Sequence, residues 1–122
     1  MNSPYKSSGG LGRIFRAAVF SVRGLRAAWQ REAAFRQEVT IAIPLIAMAP
    51  FLAGSRLEAL LLIGPVLLVL LVELLNSSIE ALADRISTDT HPLLGTAKDL
   101  GSAAVLISLL IAVATWAVVL WP

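Results

Sequence analysis

The chain has 122 residues, 57% hydrophobic and 15% charged, with net charge +2 and mean hydropathy +0.80. This leaves room for one domain and is too apolar for an ordinary soluble one. The absence of cysteine and the single histidine exclude disulfides, iron–sulfur clusters and thiolate sites and disfavour structural zinc, so any metal is held by oxygen, as magnesium is.

Residues 1–10 are polar and Gly/Ser-rich, and a flexible terminus is expected there. No apolar region followed by a small-residue cleavage pattern is present, so no secretory leader is expected. Residues 11–37 are amphipathic. Leu11, Ile14, Phe15, Ala18, Val22, Leu25 and Trp29 recur at three- and four-residue steps, with Arg13, Arg16, Arg23 and Arg26 to one side. This suits a helix lying in the headgroup plane, with Gly24 as a possible break. An ordinary amphipathic helix on a protein core is the alternative. Residues 1–37 carry seven Lys/Arg against one acid, Glu32, and the remainder carries three against seven. A basic arm could serve a nucleic-acid protein. On so apolar a body, anionic lipid headgroups are the better partner, and no nucleic acid is expected.

Span 1 covers 33–54. Its apolar part, Val39–Gly54, is about 24 Å long against a hydrocarbon core of about 30 Å, so it needs the extra length from Ala33. Pro44 and Pro50 are expected to kink it. Span 2 covers 57–84 and contains Pro65. A polar loop is expected over 85–96, with Pro92 and Gly95 as breakers. Span 3 covers 97–121 and is uncharged from Leu100 onward. Trp116 and Trp121 suit the far membrane interface. The predicted fold is an all-α integral membrane protein with a surface helix and three spans. Lys/Arg counting puts the N-terminus in the cytoplasm, because only Arg56 lies on the opposite side.

At about 100° per residue, Glu73, Asn76, Glu80 and Asp84 share an arc of about 80° at the end of span 2. A carboxylate at bilayer depth costs about 2.5–3.5 kcal/mol on insertion scales, which marks it as a candidate functional group. Spans 2 and 3 are antiparallel, so Lys98 and Asp99 lie level with Glu80 and Asp84. These ingredients suit phosphoryl transfer. Glu80 and Glu32 are candidate ligands for Mg²⁺, Lys98 could neutralise phosphate charge, and Glu73 could serve as general base on a lipid hydroxyl. The known nucleotide-binding motifs are absent. Pattern alone therefore supports a polar, metal-capable site at a membrane surface. A kinase, or a non-catalytic subunit passing protons or cations, both remain open. Polar glue between helices is the structural alternative for Glu73 and Asn76.

The stretch Glu73-Leu-Leu-Asn-Ser-Ser-Ile-Glu-Ala-Leu-Ala-Asp84 resembles the prokaryotic diacylglycerol kinase signature E-x-x-N-[ST]-x-x-E-x-x-x-D. Gly24-Leu-Arg-Ala-Ala-Trp29, Glu32-Ala-Ala-Phe-Arg-Gln-Glu38 and Ala97-Lys-Asp-Leu-Gly-Ser-Ala-Ala-Val105 resemble its other blocks, in order. The resemblance covers Arg13 to Trp121. It implies a homotrimeric kinase of the bacterial inner membrane, with sites shared between chains, that uses ATP and Mg²⁺ to convert diacylglycerol to phosphatidic acid. It implies Glu73 as general base and Glu32 and Glu80 as metal ligands. Arg13, Phe20, Glu32, Asn76, Glu80, Asp89, His91, Lys98 and Asp99 would contact nucleotide. Arg13, Trp29, Glu38, Glu73, Ser102 and Trp116 would contact lipid. Phe20 stands where close relatives are expected to carry Tyr, and Thr96 where Arg is familiar. A related branch phosphorylates undecaprenol. The Arg-Ala-Ala-Trp and Glu-Ala-Ala-Phe-Arg-Gln blocks look closer to the diacylglycerol branch.

Overall fold

The computed structural model describes residues 9–87 and 91–122. It contains four helices in sequence: α1 (Gly10–Arg31), α2 (Ala33–Leu52), α3 (Arg56–Ile86) and α4 (Pro92–Leu120). α2, α3 and α4 are each long and apolar enough to cross a membrane. α3 packs most extensively against α4, then against α2, and α1 packs more sparsely, against α2. This is an all-α membrane architecture.

α1 is amphipathic; toward its end Ala28 is buried, but most of its large apolar side chains stay uncovered among the described residues. Leu11, Ile14, Phe15 and Val22 are all exposed, as a helix half-sunk in a lipid surface requires. It runs unbroken through Gly24. A helical glycine costs about 1 kcal/mol, and Arg23, Leu25, Arg26 and Ala27 around it are good helix formers. The expectation of one surface helix over 11–37 needs correction: the break falls at Glu32, and residues 33–37 are the first turn of α2. Glu32 is extended, at φ −112° and ψ 105°. Its amide closes α1 on Ala28 O at 2.9 Å, and its carbonyl receives Arg36 N at 3.1 Å.

The elbow frees carbonyls at the end of α1, because a continuous helix would have supplied amide donors to them. The guanidinium of Arg36 takes that place. Its Nη1 donates to Trp29 O at 2.8 Å and to Gln30 O at 3.3 Å. α2 then runs without interruption through Pro44 and Pro50, each proline removing one internal hydrogen bond. The turn into α3 is capped reciprocally. Glu58 N donates to Ser55 Oγ at 3.1 Å, while the Glu58 carboxylate accepts from Gly54 N. This is a variant of the capping box.

α3 has 31 residues, about 46 Å at 1.5 Å per residue, so it outruns a 30 Å core by several turns. The expected loop over 85–96 is correspondingly shorter, since α3 continues to Ile86 and α4 starts at Pro92. Proline at the first helical position is favourable, because its missing N–H would have been unpaired there anyway. His91 caps this end, its Nδ1 accepting from Leu93 N at 3.2 Å. The core is a narrow seam between α2, α3 and α4 that includes Ala42, Ala49, Leu62, Val66 and Val69. Small residues on α2 let the backbones approach, and the remaining apolar surface faces outward, as in a bilayer. Trp116 is half-buried against α3. Its Nε1 donates to Leu62 O at 2.9 Å and ties α4 to α3.

Candidate active site

The polar stripe of α3 enters the seam between the spanning helices, with Glu73 and Asn76 buried there. Glu73 is 5% exposed and Asn76 7% exposed. Glu80 is half-buried, one turn nearer the end, and Asp84 is exposed. The spacing of three, then four, then four residues puts the four groups on one face, with burial falling along it. Asn76 Nδ2 faces Glu80 Oε1 at 3.4 Å. From α4, Lys98 Nζ donates to Asp84 Oδ1 at 2.5 Å. Antiparallel packing of α3 and α4 places this pair at the same level.

The α1–α2 elbow supplies the remaining acid. Glu32 and Glu80 both lie near enough to Glu73 to interact with it electrostatically. Glu38, about one and a half turns into α2, does so from the membrane side. Its Oε2 is buried and has no hydrogen-bond partner among the described residues. A cleft of about 610 Å³ separates α1 from α3; its walls are mostly apolar, Leu25, Ala28 and Leu74 among them, with Ser21, Arg31, Glu32 and Ser78 as polar members. A second, almost wholly apolar groove of about 370 Å³ lies between α2, α3 and α4. Glu38 is at its rim, and Val69, Val113 and Trp116 are among its walls.

The model of the prokaryotic diacylglycerol kinase family matches residues 19–120. The chain belongs to that family. The Diacylglycerol kinase of Escherichia coli K12 is 51% identical over 112 residues, covering 92% of each chain. That of Pseudomonas aeruginosa is 49% identical over 118 residues, covering 97% of this chain and 96% of its own. That of Haemophilus influenzae is 43% identical over 117 residues, covering 96% and 98%.

The residues singled out for this family in the sequence fall into two groups. Glu32, Glu73, Asn76, Glu80 and Lys98 gather around the end of the seam. Asp99 follows Lys98 but is exposed, as is Ser102. Arg13 is exposed on α1, about 27 Å along the helix from Arg31 at 1.5 Å per residue. Phe20 is half-buried with Arg23 over its ring, 5.6 Å from the centroid. Trp29 is exposed near the elbow. His91 is exposed and engaged as a helix cap. Asp89 lies outside the described residues.

Three contacts at the site were missed by sequence reasoning. Arg36 bridges the elbow, Asp84 holds Lys98, and Gly101 lies against Asn76. Only the second left a usable signal, the shared level of Lys98 and Asp84. The donor set suits a hard divalent cation. Among the described residues no three or more acidic or imidazole groups converge into a closed cage. Mg²⁺ does not need one, since it commonly takes one or two carboxylates together with phosphate and water. Glu32 and Glu80 can supply such a pair.

Proposed function

We propose that the chain is a membrane-embedded diacylglycerol kinase that transfers the γ-phosphoryl group of ATP to the free hydroxyl of diacylglycerol, giving phosphatidic acid and ADP. The observation that carries this is the close, nearly full-length similarity to relatives named Diacylglycerol kinase. The buried acidic stripe at the end of the helix seam supports it. Glu32, Glu73, Glu80 and Asp84 sit toward one end of the bundle, Glu58 caps the other end of α3, and α4 is uncharged beyond Asp99, so no continuous line of acids crosses the bilayer.

In this reading Glu73 accepts the proton of the lipid hydroxyl. The hydroxyl oxygen bonds to the γ-phosphorus as the bond to the β,γ-bridging oxygen breaks, and ADP leaves. Burial puts Glu73 deepest in the stripe, where a hydroxyl rising from the membrane would arrive. Glu32 and Glu80 would hold Mg²⁺, which when bound neutralises phosphate charge. Asn76 orients Glu80 through its carboxamide N–H, and Lys98, steered by Asp84, brings a positive charge to the phosphate side. The apolar groove below Glu38 suits acyl chains, and Arg31 and Glu32 put charged groups on the cleft between α1 and α3. The working unit would be a homotrimer in the bacterial inner membrane, with the N-terminus cytoplasmic and sites shared between neighbouring chains. The excess of Lys/Arg on α1 supports that orientation.

The deciding experiment is ³²P transfer from ATP in mixed micelles, with diacylglycerol and undecaprenol as separate acceptors, with and without Mg²⁺. Labelled phosphatidic acid that requires Mg²⁺ is expected. Labelling of undecaprenol alone, or of neither lipid, overturns the reading. A reporter fused after Pro122 should read as periplasmic, and a cytoplasmic reading overturns the topology.

A further inference from the structure

α4 meets α3 without an intervening side chain at Gly101, which is buried against Asn76. A Cβ placed on Gly101 would overlap Asn76 Oδ1 and lie 3.2 Å from its Cγ and 3.8 Å from its Cβ. All three of these nearest atoms belong to Asn76. Gly64 and Gly95, also on α3 and α4, have nothing within 4 Å of the same position. The fit is therefore particular to one glycine and one side chain.

The orientation of the carboxamide explains why room is needed. Its Nδ2 faces Glu80 Oε1 at 3.4 Å. Turned over, it would set its oxygen against a carboxylate, acceptor against acceptor. With the N–H group committed to Glu80, Oδ1 must point to α4, where it is buried without a hydrogen-bond partner among the described residues. Only a residue lacking Cβ leaves space for it there.

We propose that Gly101 is a positioning residue for phosphoryl transfer: by leaving room for Asn76 Oδ1, it holds the Asn76 carboxamide so that its N–H group orients Glu80. The proposal rests on the reading of Asn76 and Glu80 as part of the site. An added methyl group is relieved by rotation of the Asn76 amide, so the bundle still folds while the contact to Glu80 is lost.

The test uses the purified full-length chain in detergent micelles. Mn²⁺–nucleotide binding is followed by EPR, beside steady-state kinetics and thermal melting. Gly101→Ala should weaken Mn²⁺–nucleotide binding about tenfold, the worth of one polar contact. It should raise the KM for metal–nucleotide and leave the KM for diacylglycerol and the melting curve unchanged. Gly64→Ala should change none of these. Asn76→Ala/Gly101→Ala should be no worse than Asn76→Ala alone, because with the amide gone the new methyl makes an ordinary contact. A silent Gly101→Ala beside impaired Asn76→Ala and Glu80→Gln overturns the proposal, and so do additive effects in the double variant. Wild-type binding in Asn76→Ala and Glu80→Gln overturns the site reading and this proposal together. If Gly101→Ala does not fold, the methyl is not relieved by rotation of the Asn76 amide, the glycine is structural, and the proposal is overturned.

Discussion

Lys98 on α4 donates to Asp84 on α3, fourteen residues away in sequence, and closes the outer end of the acidic stripe. Both side chains are partly exposed, at 41% and 55%. Such a pair contributes little to stability, and its consequence is the direction in which the ammonium points. Asp84→Asn should melt like the parent. Its KM for ATP should rise several-fold, with a smaller change in kcat, as steady-state kinetics would reveal. Loss of folding would make the pair structural, and unchanged KM would remove Lys98 from phosphate binding.

Glu73 and Glu80 should fail differently. Glu73→Gln keeps shape and polarity but cannot take the hydroxyl proton, and general-base catalysis typically contributes about 10²–10⁴-fold. It should lose about that factor in kcat while still binding MgATP. Glu80→Gln and Glu32→Gln should instead lose Mg²⁺-dependent nucleotide binding, measurable by equilibrium titration with and without the metal. Normal MgATP binding in both of these variants would make the metal assignment wrong.

The bond from Arg36 to the end of α1 predicts a hinge defect. A cation near a helix C-terminus contributes about 0.3–1 kcal/mol through the dipole alone, and Arg36 adds direct hydrogen bonds to two carbonyls. Arg36→Met should lower the melting temperature in detergent. Arg36→Lys should recover part of the loss, since the charge remains but the fork geometry does not. The chain has no cysteine, so a single spin label on α1 can report the motion directly. Increased mobility of α1 is expected in Arg36→Met, and an unchanged spectrum would contradict the hinge role.

Sharing of sites between chains is testable by mixing. Inactive Glu32→Ala and Glu73→Ala chains, unfolded together and reassembled, should regain part of the parent activity if one neighbour supplies each acid. Glu32 already lies within electrostatic range of Glu73 of its own chain. No recovery in demonstrably mixed assemblies would therefore mean that each chain builds its own site.

The proline-bearing segments show how far sequence reading reached. Pro92 is a helix breaker by sequence, yet it starts a helix, because the same residue that ends one helix suits the first position of the next. Gly24 was a candidate break, while the real one is at Glu32, a residue with no intrinsic tendency to stop a helix. At Glu32, α1 and α2 take different directions, and Arg36 bridges carbonyls left open by the turn. Sequence reading saw that Glu73, Asn76 and Glu80 share a face, since that follows from helical geometry within one segment. It did not see that Gly101 makes room for Asn76.

Hydropathy, charge counts and helical periodicity are local properties, summed along a few turns of chain. They determined the three long apolar helices, the basic amphipathic α1 and the acidic face of α3, and they carried the resemblance to a lipid kinase family. Contacts between helices depend on where segments distant in sequence come to lie, on their rotation and on their separation. Tertiary structure alone decided that Trp116 bonds to Leu62 across a separation of 54 residues. It also decided that Asn76 is seated on a glycine of α4, and that burial falls from Glu73 to Asp84 along the stripe. A buried polar group must find a partner or a fitted space, and which one it finds is set by the neighbouring helix.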